Sequence, residues 1–483
     1  MWKNRGQTAL FQGLRALLIY IRQGTNVTKD MTVGNPVKLI LSFSAPLLVG
    51  NLFQQLYSMV DAIIVGQFLG VDALAAVGTT GPLSFLVLGF VMGMTSGFSV
   101  VVAQRFGAGD YDDMRHAVAM SAVLCTALSV VVTLASVLAC WPLLELMNTA
   151  ENIIQQAYDY IVVIFAGTFA NVLYNILSGV LRALGDSKTP LYFLIISSLL
   201  NVVLDLAFII NFHMGVAGAG YATVLSQLVS GLLCFVYMAK KFPILRFQRK
   251  DWKFQWATCR YLLKIGSPMA FQFSITAIGV ITLQGAVNSF GSVTTAAFTA
   301  ASKVETLTQQ LMSTLATTTA TFVGQNLGAG KMERIREGVR RCRQITDVSS
   351  LAMMVLVFFF WRFFISLFIT GDQPQAYDDA RTYLFTIMAF YIPLGWLNIY
   401  RNALQGMGEA FVPLMGGVME LVMRVVVAAV AAPFGFWAVC FASPMAWLGA
   451  DIPLLFTYRR RIRALCPPKK EEENAVQKET KLI

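Results

Sequence analysis

Charge is scarce in this sequence. Lys, Arg, Asp and Glu make up 13% of 483 residues, about half the share usual in soluble domains, which is too little to coat a soluble protein of this length. Histidine occurs twice, at His116 and His213, too few and too far apart for a histidine metal centre. The seven cysteines, Cys125, Cys140, Cys234, Cys259, Cys342, Cys440 and Cys466, form no CxxC pair, so they read as reduced structural thiols rather than a redox or zinc motif. No stretch alternates in the rhythm of a strand, as a membrane barrel requires. With no nucleophile–base constellation, metal cluster or cofactor motif, the chain does not read as an enzyme.

Long apolar stretches are what the sequence has in abundance. Hydrophobic residues are 56% of the chain, and twelve stretches of 20 or more residues are long enough to cross roughly 30 Å of hydrocarbon as helices. They fall near 36–65, 73–103, 117–140, 153–180, 190–211, 216–239, 261–288, 295–324, 345–369, 382–403, 411–432 and 436–458. The fold expected is an all-α integral membrane protein.

A repeat divides the twelve. Gln104-Arg105-Phe106-Gly107-Ala108-Gly109 recurs as Gln325-Asn326-Leu327-Gly328-Ala329-Gly330, 221 residues on. Pro46 answers to Pro268 at 222, and Leu181-Arg182-Ala183-Leu184-Gly185 with Pro190 answers to Leu404-Gln405-Gly406-Met407-Gly408 with Pro413 at 223. Two related six-helix bundles in an apolar chain point to a transporter with its substrate path between the halves. The domains expected are an N-terminal extension over 1–30, an N-terminal lobe over 31–239, a basic linker over 240–260, a C-terminal lobe over 261–460 and a disordered tail over 461–483. The extension holds a short amphipathic stretch, Leu10 to Ile21, that lies on the membrane surface or precedes a natural start near Met31; the second reading is preferred. Asn26-Val27-Thr28 fits a glycosylation pattern on the wrong side of the membrane.

The net charge of +11 follows from topology. The N-terminal segment, every second connection and the tail hold 33 of the 37 basic residues, Arg401 among them. This is the positive-inside asymmetry. It places both termini on the cytoplasmic side of the membrane the chain crosses, and it removes nucleic acid as a partner. Gly89, Gly93 and Gly97 form a ridge suited to close helix packing. Pro46, inside the first span, removes a helical hydrogen bond and is a candidate hinge.

Charges deep in the spans are expensive and need a reason. They are Asp61, Asp205, Lys303, Glu305, Glu420 and Arg424. Asp61 lies roughly 37 Å beyond Pro36 and Asp205 roughly 22 Å beyond Pro190 by helical rise, both in the outer half of the membrane. Asn201 is one turn before Asp205 on the same face, and Thr223 enters from the sixth span at similar depth. Two carboxylates with amide and hydroxyl neighbours suit a proton or a hard cation, so Asp61, Asn201, Asp205 and Thr223 form a candidate Na+ site. The repeat counterparts are Thr282 or Leu283 for Asp61 and Ala428 for Asp205, so the pair is a specialisation of the first lobe. Glu420 and Arg424, spaced i,i+4, are expected to pair with each other. Lys303 and Glu305, two apart, do not face each other, and Lys303 is expected to reach another helix. These last four line the substrate path or stabilise the second lobe.

The stretch Pro36 to Gly70, above all Tyr57-Ser58-Met59-Val60-Asp61-Ala62-Ile63-Ile64-Val65-Gly66, resembles the first helix of the multidrug and toxic compound extrusion (MATE) family. Gln104 to Gly109 and Leu181 to Asp186 with Pro190 extend the resemblance, which covers roughly 31–460 and leans toward the bacterial branch of DNA-damage-inducible-F-like members. The resemblance implies antiport, in which H+ or Na+ enters as coupling ion while small organic, often cationic and amphipathic, compounds leave. It also implies a cation site of Asp61, Asn201 and Asp205 with Asn175 and Thr223, and a bending Pro46. The branch with acidic residues on the seventh helix is not matched, since 261–288 contains none. No cofactor is implied; the partners are the substrate and membrane lipid, and one chain suffices for a path. A lipid-linked precursor flippase of similar twofold architecture is the alternative; it calls for a more basic central cavity.

Overall fold

The computed structural model describes residues 30–147, 149–369 and 373–466. The N-terminal extension up to residue 29 and the tail from 467 lie outside the described residues.

Among the described residues the chain is helical, with no strand. The first lobe comprises α1 (Pro36–Leu69), α2 (Val71–Thr79), α3 (Gly81–Gly107), α4 (Tyr111–Leu146), α5 (Glu151–Ala166), α6 (Thr168–Ala183), α7 (Lys188–Leu206) and α8 (Gly215–Lys241). The second comprises α9 (Trp256–Asn288), α10 (Ser292–Gly328), α11 (Met332–Ser366), α12 (Pro374–Ala389), α13 (Tyr391–Gly406), α14 (Phe411–Ala431), α15 (Phe436–Val439) and α16 (Ala442–Leu465). The last helix thus runs five residues past the expected lobe boundary at 460.

Among the described residues, nine segments are long and apolar enough to cross a membrane, and eleven if two bent pairs each count as one span. The bends were not legible in the hydropathy. The fourth span breaks by 47° between α5 and α6 at Gly167, where a Cβ would collide with Val224 of α8. The tenth breaks by 51° between α12 and α13, just before Pro393, whose ring and missing N–H cannot continue the preceding turn. The remaining span is α10, 37 residues long and crowded with threonine. The hydroxyls of Thr308, Thr314, Thr318 and Thr319 return to carbonyls four residues back, which satisfies them inside the bundle. α10 is polar because it faces the other lobe rather than lipid.

The caps and glycines set the geometry. Asn35 caps α1 by accepting from Val37 and Lys38 N–H, with Pro36 preset for the first turn. The glycine ridge seats α3 against α9 of the other lobe: a Cβ at Gly93 would stand 2.5 Å from the Met269 carbonyl, and one at Gly97 2.5 Å from the Gly266 Cα. The linker folds as two 3-10 turns, Pro243–Leu245 and Arg249–Trp252. Its buried Asp251 accepts from Gln248 N–H at 2.7 Å and meets Arg115 of α4 at 3.3 Å. Trp252 and Trp256 are exposed, as suits side chains at a headgroup boundary.

The end of the bundle that carries the basic connections is called the basic end below.

Candidate functional site

A cavity of about 720 Å3 opens between the lobes. Its wall comes mainly from α1, α3, α5, α6, α7 and α8, with Phe273 of α9 and Gln310, Ser313, Thr314 and Thr317 of α10 closing the far side. Asn51 of α1 donates to Thr314 across the lobe boundary at 3.1 Å. Pro46 lines the cavity from inside α1. The lining is amide, hydroxyl and apolar, and among the described residues Arg182 is its one charged side chain.

The carboxylates stand one layer behind that wall. Asp61 and Asp205 are buried, at 8% and 0% exposure, with their side chains in hydrogen-bond reach of each other. Each keeps one buried oxygen without a hydrogen-bond partner. Tyr57 and Tyr160, both on the cavity wall, sit in the field of the pair. Asn201 is the bridge: its amide reaches Thr223 Oγ1 at 3.4 Å, and in the opposite amide orientation it donates to Asp205 Oδ2 and accepts from Thr223 N–H, each at 3.3 Å. The structure therefore brings Asp61, Asn201, Asp205 and Thr223 together. Asn175 stands apart. It lines the cavity, but its amide donates to the backbone and side chain of Asn171 at 2.9 Å, and Asn171 donates on to Gln227 at 3.1 Å.

Desolvated carboxylates in contact repel each other, and an added cation removes that repulsion. A proton held between the two carboxyls fits this donor set, and so does a small oxygen-seeking ion also ligated by Asn201 and Thr223.

The second lobe corrects two sequence expectations. Glu420 does not pair with Arg424; it pairs with Arg401 of α13. The helical spacing that predicted the first pair lost to a crossing helix that brings a guanidinium directly onto the carboxylate. Arg424 instead packs on Gly279 of α9, where the absent side chain leaves room for it, and senses Glu305. Arg401 is no loop residue: it is buried near the end of α13, at 8% exposure. Glu305 accepts from Gln309 and Tyr383, each at 2.7 Å. Lys303 is exposed and joins no ion pair among the described residues. Asp451 of α16 was missed altogether. It is buried, faces Arg401 and among the described residues has no hydrogen bond to either oxygen; the signal was one acidic residue inside the last apolar stretch, 436–458.

The repeated motifs meet at the basic end as a crossed lock. Gln104 Nε2 donates to the Gly406 carbonyl at 2.9 Å, and Gln325 Nε2 donates to the Ala183 carbonyl at 2.8 Å. Gly406 and Ala183 are repeat equivalents, as the two glutamines are. Each glutamine oxygen also has a donor: Tyr261 OH at 3.1 Å for Gln104 and Met31 N–H at 2.8 Å for Gln325. A Cβ at Gly107 would overlap the Gln325 carbonyl, and one at Gly328 the Gln104 carbonyl. These are the positions that require glycine, because the ends of α3 and α10 cross backbone to backbone.

Two six-helix lobes, a cavity between them and a buried carboxylate pair behind one wall fit a membrane transporter. The MatE family signature matches residues 46–207 and 268–448, one match in each half of the repeat. The chain belongs to the MatE family, that of multidrug and toxic compound extrusion transporters. It is 30% identical over 427 residues to the probable multidrug resistance protein YpnP of Bacillus subtilis, covering 87% of this chain and 91% of that one. It is 24% identical to an FAD transporter of Shewanella oneidensis over 80% of this chain and 86% of the other. Among solved structures, a multidrug resistance MATE family transporter in an outward-facing conformation superposes with a TM-score of 0.84 at 26% identity, covering 92% of this chain and 99% of that one.

Proposed function

We propose that this chain is a secondary active efflux transporter that exports organic, often cationic, compounds across the bacterial plasma membrane in antiport with H+ or Na+. The observation that carries the reading is the Asp61–Asp205 pair one layer behind the wall of the central cavity, with one oxygen on each carboxyl unpartnered among the described residues. A cation at the pair relieves the repulsion there, and a cationic compound in the cavity relieves it from the other side. The two therefore compete, and exchange follows if each favours a different arrangement of the lobes. Pro46 leaves the first helix one hydrogen bond short between the pair and the basic end, which makes α1 the element that bends with occupancy.

In this reading the basic end is the cytoplasmic end and holds both termini. The crossed glutamine lock then shuts the cavity from the cytoplasm, and alternating access requires that it open. That YpnP is a probable multidrug resistance protein and the superposed transporter a multidrug resistance MATE family member supports export of small molecules. A lipid-linked precursor flippase is less well supported, since the wall carries a single basic side chain. The test is drug resistance in an efflux-deficient bacterial host. Expression raises the inhibitory concentration of cationic amphiphilic dyes, and Asp61→Asn abolishes the rise; equal protection by that variant removes the carboxylate pair from the account.

A further inference from the structure

The charge that faces the cavity is positive. Arg182 lies in the last turn of α6 and lines the cavity, yet it makes no hydrogen bond or ion pair among the described residues. A guanidinium inside a membrane bundle without a counter-ion is costly. The nearest carboxylate along the chain, Asp186, is turned away: its Oδ1 accepts from Lys188 and Thr189 N–H, and burial pushes its carboxyl above the ordinary range.

The second lobe shows what a satisfied version of this position looks like. The repeat equivalent of Arg182 is Gln405, which donates to Gln272 at 2.7 Å. The repeat equivalent of Gln272 is Gly50, 222 residues earlier, which also lines the cavity. The first lobe thus has a cation and a glycine where the second has a closed amide pair, and Leu191 and Leu194 come within 3.4 and 3.6 Å of where a Cβ on Gly50 would stand. Arg182 lies within electrostatic range of Tyr174 and of Cys234 on α8, and its Nη2 comes to 3.8 Å of where a Cβ on Gly179 would stand. One and two turns from Cys234 on that helix, Ser230 and Ser226 line the cavity with buried hydroxyls that have no partner among the described residues; they are 1% and 2% exposed.

We propose that Arg182, with Ser226 and Ser230, forms an anion subsite at the basic end of the cavity, which takes the carboxylate or similar oxyanion of an amphiphilic substrate. The guanidinium supplies charge and paired N–H donors, and the hydroxyls complete the oxyanion's shell. The substrate class is therefore zwitterionic: an anionic end at Arg182 and a cationic or aromatic body toward the Asp61–Asp205 wall. This rests on the export reading above.

The test is binding of a rhodamine with a free carboxyl and of the ethyl ester of the same dye. Fluorescence polarisation reads both on the full-length protein in nanodiscs of neutral lipid, so that no lipid anion competes. Wild type is expected to prefer the acid. Arg182→Gln is expected to weaken the acid by about tenfold or more and the ester by less than about twofold, and Arg182→Lys, which keeps charge but not the planar fork, to fall between. Equal affinity of wild type for the two dyes, or equal loss of both in Arg182→Gln, overturns the subsite. Dye efflux from proteoliposomes is read separately: binding with the acid preference but no efflux counts against the export reading and leaves the subsite standing.

Discussion

At the scale of single residues, the account rests on which buried charges have partners. Glu420 has one in Arg401, so Glu420→Gln leaves that buried guanidinium with only the facing Asp451 carboxyl and is expected to destabilise the protein by about 1–3 kcal/mol, seen as a drop in the thermal midpoint. Exposed Lys303 has none among the described residues, and Lys303→Gln should leave that midpoint within a degree or so, a contrast that one melting series checks. Asp61 and Asp205 have each other. Replacing either with Asn supplies a neutral amide, so the fold is expected to survive while coupling to the ion gradient is lost. The carboxylates were legible because deep acidic residues are rare and the repeat showed no counterpart at Ala428 or near Thr282. Arg401 and Asp451 were not. Arg401 lies close to a span end, where sequence alone cannot tell a solvated charge from one folded inward under a crossing helix; Asp451 lies inside the last span, and what marks it, the facing Arg401 of another helix, is a tertiary contact.

At the scale of elements, twelve spans were legible as long apolar stretches, but their breaks were not, because hydropathy runs unchanged through a kink. Gly167 breaks the fourth span for the sake of Val224 on another helix, a tertiary cause with no local trace. Pro46 acts locally. Pro46→Ala restores the amide that α1 lacks and is expected to straighten the helix and slow turnover several-fold without loss of cation binding; transport rate beside binding in the same preparation separates the two. Gly107 is stricter. Gly107→Ala forces a methyl group into the Gln325 carbonyl, so the lock cannot close as it stands.

At the scale of the whole molecule, the repeat that divided the sequence also builds the closure between the lobes. Both glutamines of the repeated motif cross to equivalent carbonyls. Each such bond contributes about 1 kcal/mol net. Removing both with Gln104→Ala and Gln325→Ala is expected to raise the population open at the basic end by on the order of tenfold. Labelling of a cysteine placed at Ser187 on the cavity floor, in a cysteine-free background, reads that population from the cytoplasmic side. Unchanged labelling removes the lock from the cycle. The central claim, that the first lobe's carboxylate pair couples export to an ion gradient, is tested most directly by efflux of a fluorescent cationic dye from proteoliposomes. A pH gradient and a sodium gradient are imposed separately on wild type, Asp61→Asn and Asp205→Asn. The account predicts that one gradient drives efflux in the wild type and that neither drives it in either variant; gradient-driven efflux that persists in both variants would contradict it.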